Sequence, residues 1–427
     1  MGETKKLFSS SAVMFVGTFI ASIFSYLFNM LMGRYLGPKN YGEMTALMSL
    51  LMIVSVAGGA ILTVAMKYGS ELYVGERLRA LKKLLAVLSK YVYFFALFLF
   101  LIGLALVRPI SNYFSISGLT PTVVALLSLI FGLVIMVNKG ILQGAQKFYA
   151  LSAVGIFEMA ARLALGIILV KIGLAVSGAL LGIVLATAAT YALTFWPISG
   201  IFKKIKKDRT EKNFTFDKKE ILNYSWPALG SMLLLAIAIN LDIILVKHYF
   251  PPDIAGIYAA VSTVGKIILY ITSPVVSVMF PMISEKKTRG DKHYPLFFYS
   301  LLMVLVGSFL ILGAYTVAPA KIIGVLYGAQ YINLFYLLPE IGLAILLYSL
   351  INLLVNYFLV VRNFRFIWFF ALAEILQILA IAKFHSSLEL VVRIIILSFA
   401  LLFAAMMIYY LFGKRQQLKS FFRRETF

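Results

Sequence analysis

The sequence predicts an all-α polytopic membrane protein with about twelve transmembrane helices. Three observations carry this. The 427 residues are 62% hydrophobic and 13% charged, with a mean hydropathy of +0.96, whereas soluble domains are roughly half apolar and about a quarter charged. Apolar runs of the ~20 residues that a helix needs to cross a bilayer recur along the whole chain. The basic residues fall in the short segments between those runs, dense in one and sparse in the next. No alternating strand pattern competes, and lipid admits only helices or closed barrels.

In order, the predicted spans are 10–32, 44–66, 84–107, 121–138, 150–170, 174–199, 221–247, 255–283, 296–318, 332–360, 366–382 and 390–412. The first run follows Lys5 and Lys6, is longer than a signal-peptide core and has no small-residue cleavage site, so it is expected to be retained. Gly178 and Gly182 in the sixth span suit close helix packing. Gly200 to Glu220 is the longest inner connection and strongly basic. It divides the chain into an N-lobe of six helices (1–200), a basic cytoplasmic linker (201–220), a C-lobe of six helices (221–412) and a basic cytoplasmic tail (413–427).

Orientation follows from Lys and Arg, which concentrate in cytoplasmic loops. With the N-terminus inside, the inner segments hold 28 basic residues and the outer segments 8. The outer set is Arg34, Lys39, Arg108, Lys171, Lys247, Lys321, Lys383 and Arg393. Both termini are therefore expected in the cytoplasm, with the protein multi-pass in the cell (cytoplasmic) membrane. The net charge of +22 is accounted for by these loops, so no nucleic-acid partner is expected, although a soluble chain this basic would suggest one.

Several function classes are excluded or opposed. The chain has no cysteine, which removes disulfides, thiol catalysis and cysteine-ligated metals. His248, His293 and His385 are far apart and show no metal-ligand spacing. No Gly-rich phosphate loop with Lys and Ser/Thr is present, so ATP hydrolysis is not expected. No nucleophile–base constellation is visible and the outer loops are short, which opposes an enzyme such as a sugar polymerase. No metal or cofactor is expected beyond a coupling proton or sodium ion.

The short motifs carry a resemblance. Gly33-Arg34-Tyr35-Leu36-Gly37-Pro38-Lys39-Asn40-Tyr41-Gly42 follows the first span, and its Gly and Pro mark a tight helical hairpin. The pattern R-x-L-G-P-x-x-Y-G there resembles polysaccharide flippases (Wzx-type, O-antigen transporters) of the multidrug/oligosaccharidyl-lipid/polysaccharide exporter superfamily. Gly140-Ile141-Leu142-Gln143-Gly144, Tyr224-Ser225-Trp226-Pro227, Asn240-Leu241-Asp242, Ala255-Gly256-Ile257-Tyr258, Phe280-Pro281 and Tyr327-Gly328-Ala329-Gln330-Tyr331 resemble further family segments, in family order. The resemblance covers nearly the whole chain. It implies two six-helix lobes around a central cavity (MATE-like), alternating access, and translocation of a polyprenyl-pyrophosphate-linked oligosaccharide from the inner to the outer leaflet. Membrane lipids, the lipid-linked oligosaccharide and polysaccharide assembly enzymes are the implied partners. Alternatives are a multidrug/organic-cation antiporter of the same superfamily, a membrane-embedded sugar polymerase, or a scaffold.

Charges inside spans narrow the site, because a charge at mid-bilayer costs roughly 3 kcal/mol or more and so faces a cavity or a partner. These are Lys90, Glu158, Arg162, Asp242, Lys266, Glu340 and Glu374. Glu158 and Arg162 share a helix face at i, i+4 and either neutralise each other or leave Arg162 to meet the substrate's phosphates. Asp242 and Lys266 lie at similar depths and are able to pair, as lobe glue or as a switchable contact. Arg34, Arg162 and Lys266 are expected to form a cationic cavity for the pyrophosphate, with Gln143, Asn240, Asn352 and Asn356 as polar groups for sugar hydroxyls. Glu158, Asp242, Glu340 and Glu374 are the ion-coupling or charge-pair candidates. Lys90 is expected at the interface, and Lys67, Lys139 and Lys147 are expected to act mainly as topology signals.

The orientation is testable because the chain supplies a cysteine-free background. Two variants suffice, Lys82→Cys on the expected inner side and Lys321→Cys on the expected outer side. An impermeant maleimide added to intact cells should label Lys321→Cys and spare Lys82→Cys until the membrane is opened.

Overall fold

The computed structural model describes residues 2–203, 218–289 and 294–424, with side chains placed for 13–203, 226–280, 282–287 and 294–412. The apolar runs form helices throughout, and no strand occurs among the described residues. In the first half these are α1 (Gly2–Val54), α2 (Val56–Val74), α3 (Leu78–Ala105), α4 (Val107–Tyr113), α5 (Thr120–Gly144), α6 (Phe148–Leu169) and α7 (Ala175–Phe202). The second half holds α8 (Lys218–Tyr249), α9 (Pro252–Gly265), α10 (Ile268–Arg289), α11 (Tyr294–Val317), α12 (Pro319–Tyr327), α13 (Leu338–Val360), α14 (Phe366–Lys383) and α15 (Leu388–Arg424). A π turn over Val170–Leu174 joins α6 to α7, and a 3-10 run over Ala329–Leu337 leads into α13.

Ten helical runs among the described residues are long and apolar enough to cross a membrane. Two of them, Val13–Val54 and Phe148–Phe202, are interrupted. The first breaks at Gly37, whose φ of 73° is open to glycine at no steric cost, and Pro38 follows. The second breaks at Gly173 (φ 96°) and Ala175 (φ 43°). Counted at these breaks, the runs make about twelve segments, as the hydropathy pattern predicts. Much of the expected linker, 204–217, and the C-terminal residues 425–427 lie outside the described residues.

Local differences from the predicted spans have physical causes. The apolar count ends the fourth span at residue 138, but α5 continues to Gly144, because Lys139 is accommodated inside the helix by a partner. The eighth span, one run over 255–283 by hydropathy, is two helices separated at Lys266 and Ile267. There the backbone switches to three-residue hydrogen bonds, Ile267 to Val264 and Leu269 to Lys266, each 3.0 Å. Two short helices that hydropathy does not predict, α4 and α12, follow the third and ninth segments. At seven and nine residues they are too short to span.

The chain divides into two compact units, one of Met1–Leu229 with Phe250–Gly256, the other of Gly230–Tyr249 with Ile257–Phe427. In the first, α5 is the central helix, packed by α2, α3 and α7. Leu133, Val137 and Ile141 of α5 meet Ala65, Tyr68 and Leu72 of α2 and Leu81 and Leu84 of α3 in one buried cluster. In the second, α13 is central and packs against α10, α11 and α15, with Ile351, Leu353, Leu354 and Val355 fully buried. Lipid tails are as apolar as these side chains, so close van der Waals fit sets the helix contacts. Gly182 of α7 shows this: a Cβ there would stand 2.7 Å from Gly166 N and 2.8 Å from its Cα. Gly256 likewise lies on Pro38, and any side chain would collide with that carbonyl.

The three tryptophans, Trp196, Trp226 and Trp368, are 80%, 75% and 77% exposed. All three sit near ends of apolar runs, where indole rings are enriched in membrane helices.

Gly182→Leu forces two backbones apart and should lower the stability of detergent-solubilised protein by about 1–3 kcal/mol or more. A thermal melt of the purified variant, against Gly182→Ala as the milder change, measures the loss.

Candidate functional site

Charged side chains within the spans form one cluster in each unit. In the first unit, Lys139 of α5 donates from Nζ to Glu158 Oε2 of α6 at 2.6 Å, with side chains 16% and 12% exposed. The ion pair that Glu158 makes is thus with Lys139, a neighbour in space and not the i+4 residue of its own helix. α5 is held in register by Asn138, which donates to Thr194 Oγ1 of α7 at 2.7 Å. Arg162, one turn beyond Glu158, is half-buried and lays its guanidinium over the Phe28 ring at 4.4 Å, with Nη2 3.5 Å from Met48 Sδ. Such a face-on contact gives a cation about 0.5–2 kcal/mol of favourable interaction. Gln143, one turn beyond Lys139 on α5, is half-buried. Arg34 differs from this cluster in exposure, on an open stretch of α1.

In the second unit the centre is Asp242 of α8. Its Oδ2 accepts from Ser262 Oγ at 2.5 Å and from Tyr258 Oη at 3.3 Å, and its Oδ1 faces Lys266 Nζ at 3.5 Å. The expected Asp242–Lys266 pair is therefore formed. Ser262 and Tyr258 lie four residues apart on one face of α9, so a single helix offers two donors to one carboxylate, and Lys266 follows just past its end. Lys266 occupies the helix break itself, where its side chain leaves the α9 stripe. Tyr315 Oη braces the same turn by donating to Val264 O at 2.6 Å.

The remaining predicted residues are placed as follows. Asn240 is buried and donates from Nδ2 to Ala236 O at 2.8 Å, so part of its hydrogen-bonding capacity serves its own helix. Asn352 and Asn356 meet each other on α13, Asn356 Nδ2 lying 2.9 Å from both Asn352 O and Oδ1. Glu340 starts α13, where a carboxylate complements the helix dipole, and faces Arg393 at 3.6 Å with side chains 34% and 68% exposed. The pair is partly exposed, and such pairs carry little energetic weight. Lys90 and Lys67 are exposed and Lys147 is half-buried at the start of α6. Glu374 is buried at 3% exposure on α14, with Gln377 one turn later at 1%. Glu374 Oε2 and both polar atoms of the Gln377 amide have no hydrogen-bond partner among the described residues.

Sequence reasoning missed the roles of Lys139, Ser262, Tyr258 and Gln377. Lys139 falls in a loop by the apolar count, which ends one residue before it. Gln377 has a visible signal, since an amide three residues from an intramembrane acid shares its face. No group of three or more His, Cys, Asp or Glu able to hold a metal occurs among the described residues.

Each cluster combines a carboxylate with a lysine. Removing one partner of a desolvated pair strands the other, at about 3–5 kcal/mol. Lys266→Met should therefore lower the melting temperature more than the double change Lys266→Met/Asp242→Asn, as read by thermal melts of the purified variants.

The family model described as polysaccharide biosynthesis protein matches residues 31–336. No curated protein sequence matches. Among solved structures, an inward-facing multidrug resistance MATE family transporter of the MOP superfamily is similar over 94% of this chain and 98% of its own, with a TM-score of 0.72 and 14% identity. The lipid II flippase MurJ in an inward closed conformation is similar over 93% of this chain and 87% of its own, with a TM-score of 0.71 and 15% identity. A MOP superfamily transporter from Pyrococcus furiosus, described as having a binding pocket of reversed polarity, reaches a TM-score of 0.65 at 14% identity, over 94% of this chain and 95% of its own. With its all-helical, multi-pass membrane architecture and this match over most of its length, the chain belongs to the polysaccharide biosynthesis protein family, and its fold is similar to that of MOP superfamily transporters.

Proposed function

We propose that the protein is a flippase that moves a polyprenyl-pyrophosphate-linked oligosaccharide from the inner to the outer leaflet. The observation that carries this is the pair of lysine-bearing clusters inside the spans of a polysaccharide biosynthesis family member, with Arg162 beside one of them. A pyrophosphate is a compact polyanion, and ammonium and guanidinium donors are its matched ligands. The lipid II flippase with the same fold supports a lipid-linked sugar as cargo.

In this reading the cytoplasmic membrane is the site of action, both termini are cytoplasmic, and the lobe boundary falls in 201–220. Arg162 and Lys266 are the cations that meet the pyrophosphate within the spans, and Arg34 meets it at the outer end of its path. Gln143, Asn240, Asn352 and Asn356 offer hydrogen bonds to sugar hydroxyls. The lipid tail stays in the bilayer while the protein alternates between inward and outward access. No bond in the substrate is made or broken. Glu374 with Gln377 is the place for a coupling proton or sodium ion, since a buried carboxylate beside an unpartnered amide gains from either.

A multidrug antiporter is the second reading, favoured by the likeness to MATE transporters. Against it, Glu158 and Asp242 are each held by a lysine, which leaves little negative charge to receive an organic cation.

The test is transfer of a fluorescent polyprenyl-pyrophosphate oligosaccharide across proteoliposomes, followed by its accessibility to an added sugar-modifying enzyme. Wild type should transfer it, and Arg162→Ala and Lys266→Ala should each slow transfer about tenfold or more, because a hydrogen bond to a charged group is worth about 1.5–3 kcal/mol. Transfer unchanged in both variants removes these residues from the site. No transfer, with movement of organic cations instead, moves the protein to the antiporter reading.

A further inference from the structure

Three helical hairpins on the expected inner side close in the same way. After α2, α5 and α13 the chain passes through one residue of left-handed backbone: Glu76 (φ 56°), Gln146 (φ 55°) and Arg362 (φ 57°). Each turn makes the same two hydrogen bonds back onto the helix it ends. In the third turn they run from Arg362 N to Leu359 O at 3.2 Å and from Asn363 N to Phe358 O at 3.0 Å. Glycine fits this position without steric cost, and other residues hold it against a penalty. A long cation kept there points to a use for its side chain.

Charge sets the third turn apart. Lys287, at the inner end of α10, donates from Nζ to Val361 O at 2.8 Å, the carbonyl that ends α13. Its ammonium stands close enough to the Arg362 guanidinium for the two cations to repel. Arg365 follows at the start of α14. Neither the turn nor the first turn of α14 carries an acid. Glu285 lies two residues before Lys287 on α10, a spacing that does not share a helix face. Tyr409 Oη pins the turn to α15 by donating to Asn363 Oδ1 at 2.8 Å. From Arg365 an exposed apolar stripe runs along α14 through Trp368, Leu372, Leu376 and Leu379, at the three- and four-residue spacing of one helix face.

We propose that the α13–α14 turn binds an anionic phospholipid of the inner leaflet. The lipid phosphate sits between Lys287 and Arg362 and relieves their repulsion, and an acyl chain follows the stripe of α14. Adjacent ammonium and guanidinium donors match a phosphate. Arg365 adds a third positive charge, which disfavours a headgroup that brings a cation of its own, such as choline. The stripe favours a lipid over a soluble anion, and Trp368 suits the headgroup level. General inner-side basicity does not account for the arrangement, because the two matching turns place an acid, Glu76, and an amide, Gln146, where Arg362 stands. The proposal depends on the expected orientation and not on the cargo.

Native mass spectrometry of the purified full-length protein, titrated with phosphatidylglycerol or phosphatidylcholine, counts the lipid retained. Wild type should retain phosphatidylglycerol in preference. Arg362→Gly and Lys287→Gln should each weaken that retention about tenfold or more, since hydrogen bonds to a charged group are lost. Without lipid, Arg362→Gly should melt no lower than wild type, because glycine suits the backbone there, so its loss of binding is not a loss of fold. Gln146→Gly alters the matching turn and should leave retention unchanged. Equal retention of phosphatidylglycerol by wild type and Arg362→Gly overturns the proposal, as does equal retention of the two lipids by wild type. Thermal stabilisation by inorganic phosphate as large as that by phosphatidylglycerol assigns the cations to a soluble anion and overturns the lipid.

Discussion

The structure depends on one constraint: a charge placed in hydrocarbon is costly unless a partner lies within reach. Both halves of the chain meet it with a lysine–carboxylate contact, and they do so differently. In the first, Lys139 and Glu158 come from neighbouring helices that Asn138 and Thr194 help to hold in register. In the second, Asp242 is enclosed by donors from one helix, and Lys266 reaches it from the point where that helix breaks. The two solutions leave different freedoms. Asp242 retains Ser262 and Tyr258 if Lys266 moves away. Glu158 has Lys139 as its ion-pair partner.

The helices around these clusters were legible in the sequence, because lipid imposes a length and polarity on a span that no competing structure satisfies. The Gly37–Pro38 break and the close packing of Gly182 were legible for related reasons: few residues other than glycine tolerate such a φ, and none other tolerates such an approach. The Asp242–Lys266 contact could be found by comparing depths along adjacent spans. The Lys139–Glu158 contact could not, since counting apolar residues places Lys139 outside its helix and discards its depth. The break at Lys266 was hidden for a different reason. The run 255–283 is apolar enough to read as one helix, and the break falls where Lys266 faces Asp242 and Tyr315 donates to Val264 O. Glu340 forms a charge pair, one of the two roles its position suggested, because the preceding residues form a 3-10 run and put it at the first turn of α13, facing Arg393.

The fold alone leaves the cargo open. A multidrug transporter and a lipid II flippase share it with this chain at nearly equal TM-scores, so discrimination between an organic cation and an anionic lipid lies in side chains. Here the intramembrane carboxylates of Glu158 and Asp242 are occupied by lysines, and Arg162 adds a further cation over an aromatic ring. In the first unit Lys139, Glu158 and Arg162 sum to one positive charge, which on the proposed reading favours an anion. Family membership in polysaccharide biosynthesis points the same way.

Ligand-induced thermal stabilisation measures that preference most directly. The purified protein is melted with a polyprenyl pyrophosphate, with the same polyprenol lacking phosphate, and with an organic cation such as ethidium. Stabilisation by the pyrophosphate alone, rising with its concentration, is the result this account predicts. Stabilisation by the cation with none from the pyrophosphate would contradict it.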